Sequence, residues 1–311
     1  MTTDNWFDDL PTIGELPPQE AAAKLREVGE DELADALEAA QYKVTADSTT
    51  FGLAEDLLPW LPKPWLYPTH VIGYLTPAKS DITVLPIQNA CKILPDSTLK
   101  NTPINITLEQ ACVAKYPGGG THYILFDFEA KTQLLNRAET INFTVTHRIR
   151  ESNQVVIINQ PIFAPLHVSP EGVGFRGLTV NVKNQEDEAA LSFLESFTFQ
   201  SGIAAASLLQ PAIAPLAEMA IGITKLIAKR SKNVTVQKID LGLDFGNDST
   251  RARLAEGYYL AIQIPESLQT SWDWNDWVYN PTNGQIVSQF DPTEVIPYNY
   301  LVFSVSRYQE K

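Results

Sequence analysis

Between Glu195 and Glu218 the chain runs for twenty-two residues without a charged side chain, SFTFQSGIAAASLLQPAIAPLA. A stretch this apolar must be taken out of water, and that requirement limits what the rest of the chain can build. Its length meets the rough ~18–20 residue threshold for a membrane span. Its composition does not, because Gln200, Gln210, Pro211 and Pro215 interrupt it and alanine adds little insertion energy. The better reading is two helices broken at Gln210 and Pro211. The first covers 202–209, and the second runs from Pro215, suited to a first helical position, to Lys229. In the second, Leu216, Met219, Ala220, Ile223 and Ile227 form one face, while Ile221, Gly222 and Leu226 leave the other nearly as apolar. An apolar helical hairpin at about 202–229, buried in the protein body, is the expected outcome. An oligomer interface and conditional insertion into a membrane are the alternatives.

Strands supply a body able to bury it. Across 139–149, Ile141, Phe143, Val145, His147 and Ile149 alternate with Asn142, Thr144, Thr146 and Arg148, the period of a half-buried antiparallel strand. Further strands are expected at 71–75, 82–87, 104–108, 121–128, 154–158 and 178–183, and then at 234–245, 257–264, 285–289 and 298–307. Within 234–245 the apolar register slips at Gln237 and Lys238, which predicts a bulge. Glycine- and proline-rich turns separate these segments, as at 116–121 and 280–284. The pattern predicts a mainly β, α+β protein of antiparallel sandwich-like lobes. Residues 161–177 are rich in Pro and Gly and mark a candidate boundary between a first β-rich lobe, 60–170, and a second, 171–311, that carries the apolar segment. A single larger sandwich is the competing solution.

The N-terminal part differs in charge. Residues 1–40 hold eleven acids and two bases, so they carry −9 of the formal −14. Pro18 and the helix formers after Glu20 predict one helix, stopped near Gly29; Asp31 can cap a second with Leu33, Ala36, Leu37 and Ala40 along one stripe. These form an acidic helical module, 1–45, followed by a linker, 46–59. The run LLPWLPKPWLYP that follows is too proline-rich for helix, and its aromatics are expected to lie against the β core.

Composition excludes several functions. A hydrophobic fraction of 44% with 19% charged residues is globular, and the acidic excess disfavours nucleic acid as a partner. The first residues lack a basic and apolar leader, and two cysteines, Cys91 and Cys112, are too few for a disulfide framework, so a cytoplasmic protein is expected. The four histidines are dispersed, neither cysteine belongs to a CxxC pair, and no nucleophile elbow is present. The loop PGGGT at 117–121 lacks the Gly-Lys-Ser/Thr ending of a phosphate loop. His122 and Asp127 differ by an odd number, which puts them on opposite faces of a regular strand. Neither an enzyme nor a resident cofactor is expected.

Two clusters suggest binding. Trp272, Asp273, Trp274, Asp276 and Trp277 fall within six residues, and an indole platform can stack on a sugar or anchor a protein contact. The acidic loops at 184–188, 244–248 and 273–276 offer Asp187, Asp244, Asp248 and Asp273 as oxygen ligands for Ca²⁺, should they meet at one end of a sandwich as in a C2-type membrane-binding domain. The expected function is therefore a non-enzymatic interaction or assembly protein, working through a protein partner or self-association. The alternative is a membrane-active effector that uses 202–228 or Ca²⁺-loaded loops.

Overall fold

Alternating apolar side chains pair into two sheets whose inward faces share one buried core. The structure is a computed structural model that describes residues 7, 9–41, 63–77, 84–134, 137–151, 155–183, 187–195, 213–246 and 251–309. The protein is mainly β with antiparallel sheets. With strands numbered in chain order, sheet I runs β3 (Gln88–Asn89), β1 (Thr69–Leu75), β11 (Gly257–Ile264), β14 (Tyr300–Arg307), β4 (Pro103–Cys112), β7 (Val155–His167). Sheet II runs β10 (Ala252–Arg253), β9 (Val234–Asp244), β8 (Gly172–Val182), β5 (Thr121–Leu134), β6 (Arg137–Arg150). Among the described residues only β10 joins its neighbour in parallel. A small third sheet pairs β13 (Gln285–Ser288), β12 (Trp277–Asn280) and β2 (Leu85–Pro86).

Aromatic side chains lock sheets I and II together. The Phe303 ring of β14 meets Phe128 of β5 edge-on at 5.7 Å and Phe175 of β8 at 5.1 Å, and Phe163 of β7 reaches Phe175 at 6.0 Å. Edge-to-face pairs of this kind add to the stabilisation from area burial. Gly177 is needed for the approach, since a Cβ there would lie 2.9 Å from the Phe128 ring.

Each sheet draws strands from both sides of residue 170, so the division at that point does not separate the sheets. The stretch 161–177 is largely strand and not a spacer. Pro161 and Pro165 lie inside β7, which ends the order of sheet I, and an edge strand tolerates a residue with no N–H to donate. The predicted bulge is present one residue early. Thr179 pairs with Gln237 but Val180 with Thr235, leaving Val236 as the extra residue.

Helix α1 (Pro18–Glu27) and helix α2 (Asp31–Gln41) form as predicted, with Gly29 at φ +83° between them. Their apolar sides, including Ala21, Ala22, Leu25, Leu33, Ala34 and Leu37, belong to the core that the two sheets share. The glycine turn before β5 receives them. Gly118 N–H donates to Glu30, and the Gly118 and Gly119 carbonyls accept from the Lys183 ammonium. Trp65, in a short helical turn (Pro64–Leu66), is buried in this core as expected of the aromatic run.

The outer faces of both sheets are covered as well. The third sheet and the Trp272–Trp277 loop pack on sheet I against Leu75, Leu260, Ile262 and Val302. Helices α3 (Glu188–Glu195) and α4 (Ile213–Lys229) cover sheet II, where Leu191, Leu194, Ile227 and Ala228 meet Leu125, Leu178, Val180 and Val182. The second half of the expected hairpin is thus α4; its first half, 202–209, and the linker at 46–59 lie outside the described residues.

Replacing Phe303 with Ala should lower the unfolding free energy by about 3–5 kcal/mol, read from the urea midpoint at unchanged slope. The same change at exposed Phe290 should stay within about 0.5 kcal/mol.

Candidate functional site

The tryptophan loop is ordered by its own polar groups. Asp273 accepts from Asn275 N at 2.9 Å and Nδ2 at 2.8 Å, which caps a short turn (Trp274–Asp276) and aims the flanking indoles back at sheet I. Trp272 stacks on Trp277 at 6.2 Å and 13°, and meets Trp274 edge-on at 5.7 Å and Tyr298 at 5.8 Å. Trp274 lies so close over β1 that a Cβ on Gly73 would come within 2.6 Å of its ring. All three indoles are half-buried, and Trp272 Nε1 is buried without a hydrogen-bond partner. Asp276 is exposed. The five residues expected to bind are therefore brought together, with the tryptophans also serving as cover for the sheet.

Trp272 and Trp274 form one wall of a cleft of about 700 Å³. It lies where β1 and β3 of sheet I come beside β9 and β10 of sheet II, the two stitched by a hydrogen bond from Arg253 N–H to the Ala90 carbonyl at 2.8 Å. His70, Asn89, Asp240, Arg251 and Gln269 supply polar groups to the lining. His70 Nε2 stands 3.3 Å from Gln237 Oε1, while Gln237 Nε2 donates to the Tyr116 hydroxyl at 2.7 Å and that hydroxyl meets Thr179 Oγ1 at 3.0 Å. Burial pushes the His70 pKa down to about 4, with the Gln237 contact offsetting part of the shift, so the imidazole is neutral at pH 7. Sequence reasoning missed these residues because they are dispersed over 70–269. The one signal was a pair of strand glycines, Gly174 and Gly242, that mark no turn.

The acidic residues considered for Ca²⁺ are not assembled. Asp187 is buried, paired with Arg230 at 2.6 Å and accepting from Asn233 Nδ2 at 2.5 Å. Asp244 is held by Arg253 at 2.6 Å and Asp273 by the turn it caps, while Asp248 lies outside the described residues. Among the described residues no three His, Cys, Asp or Glu side chains group around a common point. A carboxylate spent on a structural cation or cap offers no open ligand pair to Ca²⁺.

His122 and Asp127 sit on a regularly paired stretch of β5 and serve opposite faces. His122 is buried toward Asn181 (3.1 Å) and Glu151 (3.3 Å), and desolvation holds its pKa low. Asp127 is buried on the outer face of sheet II, beneath α4. Thr144 Oγ1 donates to its Oδ2 at 3.1 Å, and its Oδ1 has no hydrogen-bond partner. Thr224 of α4 approaches the same carboxyl without completing a bond. Desolvation raises the Asp127 pKa to about 7; the two threonines work against the shift and Glu129 adds to it.

Asp127 marks the side of α4 that faces the sheet. Thr224 (0% exposed), Ile227 and Ala228 turn inward, whereas Met219 (41%), Gly222 and Leu226 (52%) face out. The expected stripe of Met219, Ile223 and Ile227 is split, with Met219 exposed and Ile227 fully buried against the sheet. Among the described residues no helix is long and apolar enough to cross a membrane.

A carboxyl with a folded pKa near 7 and an unfolded one near 3.8 favours folding when protonated. That contribution is fully present below pH ~4 and is lost as pH rises through 7. Asp127→Asn keeps the shape and removes the charge. It should raise stability at pH 8 by about 2–4 kcal/mol, and the gain should vanish toward pH 4. Urea titrations of both proteins across this range check the sign and the midpoint.

No protein-family model matches the chain, and neither a curated protein nor a solved structure proves similar to it.

Proposed function

We propose that this chain acts by recognition and not by catalysis, and that it self-associates through the outer face of α4. The observation that carries the reading is the outward placement of Met219 and Leu226 on a helix that buries Thr224 instead. Met219 and Leu226, at i and i+7 with Gly222 between them, form a stripe of the kind that pairs with its own copy across a two-fold axis. Charge favours a second copy meeting here. The protein carries −14 overall, so two copies repel wherever acidic surfaces approach, and the α4 stripe offers neutral side chains among Glu218, Lys225 and Lys229, which add no acidic excess.

An anionic lipid surface fits less well. The basic exit of α4 is partly engaged within the chain, where Arg230 pairs with Asp187. One of the cations that would hold the helix on a membrane is thus committed to a buried carboxylate.

Sedimentation equilibrium of the full chain tests the proposal. The wild type should associate at or below about 100 µM, a contact of about −5.5 kcal/mol. The double variant Met219→Glu/Leu226→Glu should remain monomeric with an unchanged melting temperature, because both positions are exposed. A monomeric wild type, a variant that associates as well as wild type, or wild-type retention on anionic vesicles in place of self-association would each overturn the reading.

A further inference from the structure

Two glycines lie where the strands do not require them. Gly174 of β8 and Gly242 of β9 are direct cross-strand partners and so project to the same face. Neither has the positive φ that reserves a position for glycine. A Cβ added at Gly242 would meet nothing within 4 Å, and one at Gly174 only the Leu241 carbonyl oxygen at 3.9 Å. Elsewhere the chain uses strand glycine for a visible reason, as at Gly73 under Trp274 and Gly177 under Phe128. Glycine within a strand is less stable than alanine, so a facing pair weakens sheet II with no return in backbone geometry or packing. What remains is close approach of another molecule to bare backbone. Both glycines line the cleft that Trp272 and Trp274 wall.

The chemistry of the other lining groups narrows what approaches. Asn89 and Gln269 are neutral amides that both donate and accept, while Asp240 and Arg251 bring opposite charges. Such a lining concentrates neither sign of charge, so it selects neither an anion nor a cation. It does match a ring with hydroxyls around its rim and an aliphatic face for indole contact. An extended peptide adding to β9 is disfavoured, because β10 already pairs with β9 at Leu243 and Asp244, next to Gly242.

We propose that the cleft between the sheet edges is a saccharide-binding site, in which a neutral sugar ring lies against the bare Gly174–Gly242 strip and the Trp272–Trp274 wall, with Asp240 and Asn89 bonding its hydroxyls. The site is independent of the α4 face and does not depend on the oligomeric state.

The full-length chain applied to an array of neutral mono- to tetrasaccharides tests this, followed by calorimetric titration with the glycan retained best. Gly242→Val fills the strip with a β-favouring side chain into open space, so its melting temperature should hold or rise while affinity falls at least about tenfold. Asp240→Ala, at an exposed position, should likewise weaken binding at least about tenfold without loss of fold. No retained glycan, retention of a peptide-library ligand in its place, or less than tenfold loss in both variants would overturn the assignment.

Discussion

The burial of Asp127 beneath α4 constrains the whole outer half of the molecule. A carboxyl taken out of water without full hydrogen bonding must be neutral or costly, and burial here raises its pKa to about 7. Asn142 and Thr144 lie buried on the same outer face, so this side of sheet II is unusually polar for a surface under a helix. On α4, Thr224, Ile227 and Ala228 take that side with Ile221 and Ile223 partly buried beside them, and Met219 and Leu226 are turned toward solvent. The buried side of this helix therefore combines the approach of Thr224 to one carboxyl with apolar contacts of Ile227 and Ala228, and Met219 and Leu226 are left in water.

The inner half obeys a simpler rule. Phe303 meets Phe128 and Phe175 across the sheets and fixes how sheet I sits on sheet II, and the N-terminal helices close onto the same core through Ala21, Ala22 and Leu25. Fixing the two sheets also fixes the gap between their edges. There β1 and β3 stand beside β9 and β10, with the tryptophan loop folded over from the outer face of sheet I. The cleft is thus a by-product of sandwich packing, shaped by residues with no contact to each other in sequence.

Several elements were legible because one face of each is buried and the other is not. The alternation of Ile141 through Ile149 gave β6 directly, and the capping and stop residues gave α1 and α2. Others were hidden by facts of topology. Pro161 and Pro165 look like a spacer until β7 proves to be an edge strand, where a missing N–H goes unnoticed. The strand Trp277–Asn280 was concealed by the tryptophan cluster at its start. The orientation of α4 was unreadable, since both of its sides are apolar and the strands it packs on lie far from it in sequence. Of the candidate site, the tryptophans were visible as a local cluster. Their partners at 70, 89, 240 and 251 were not, because nothing local joins them.

Cysteine accessibility along α4 measures its orientation most directly. In a background of Cys91→Ser and Cys112→Ser, single cysteines at Met219, Leu226 and Ile227 would be alkylated in dilute protein and again at high concentration. The account predicts rapid labelling at 219 and 226 in dilute protein, slow labelling at 227 throughout, and protection of 219 and 226 as concentration rises. Labelling at 227 as fast as at 226, or at 226 as slow as at 227, would contradict the placement of α4. Labelling at 226 that ignores concentration would contradict its role as a contact.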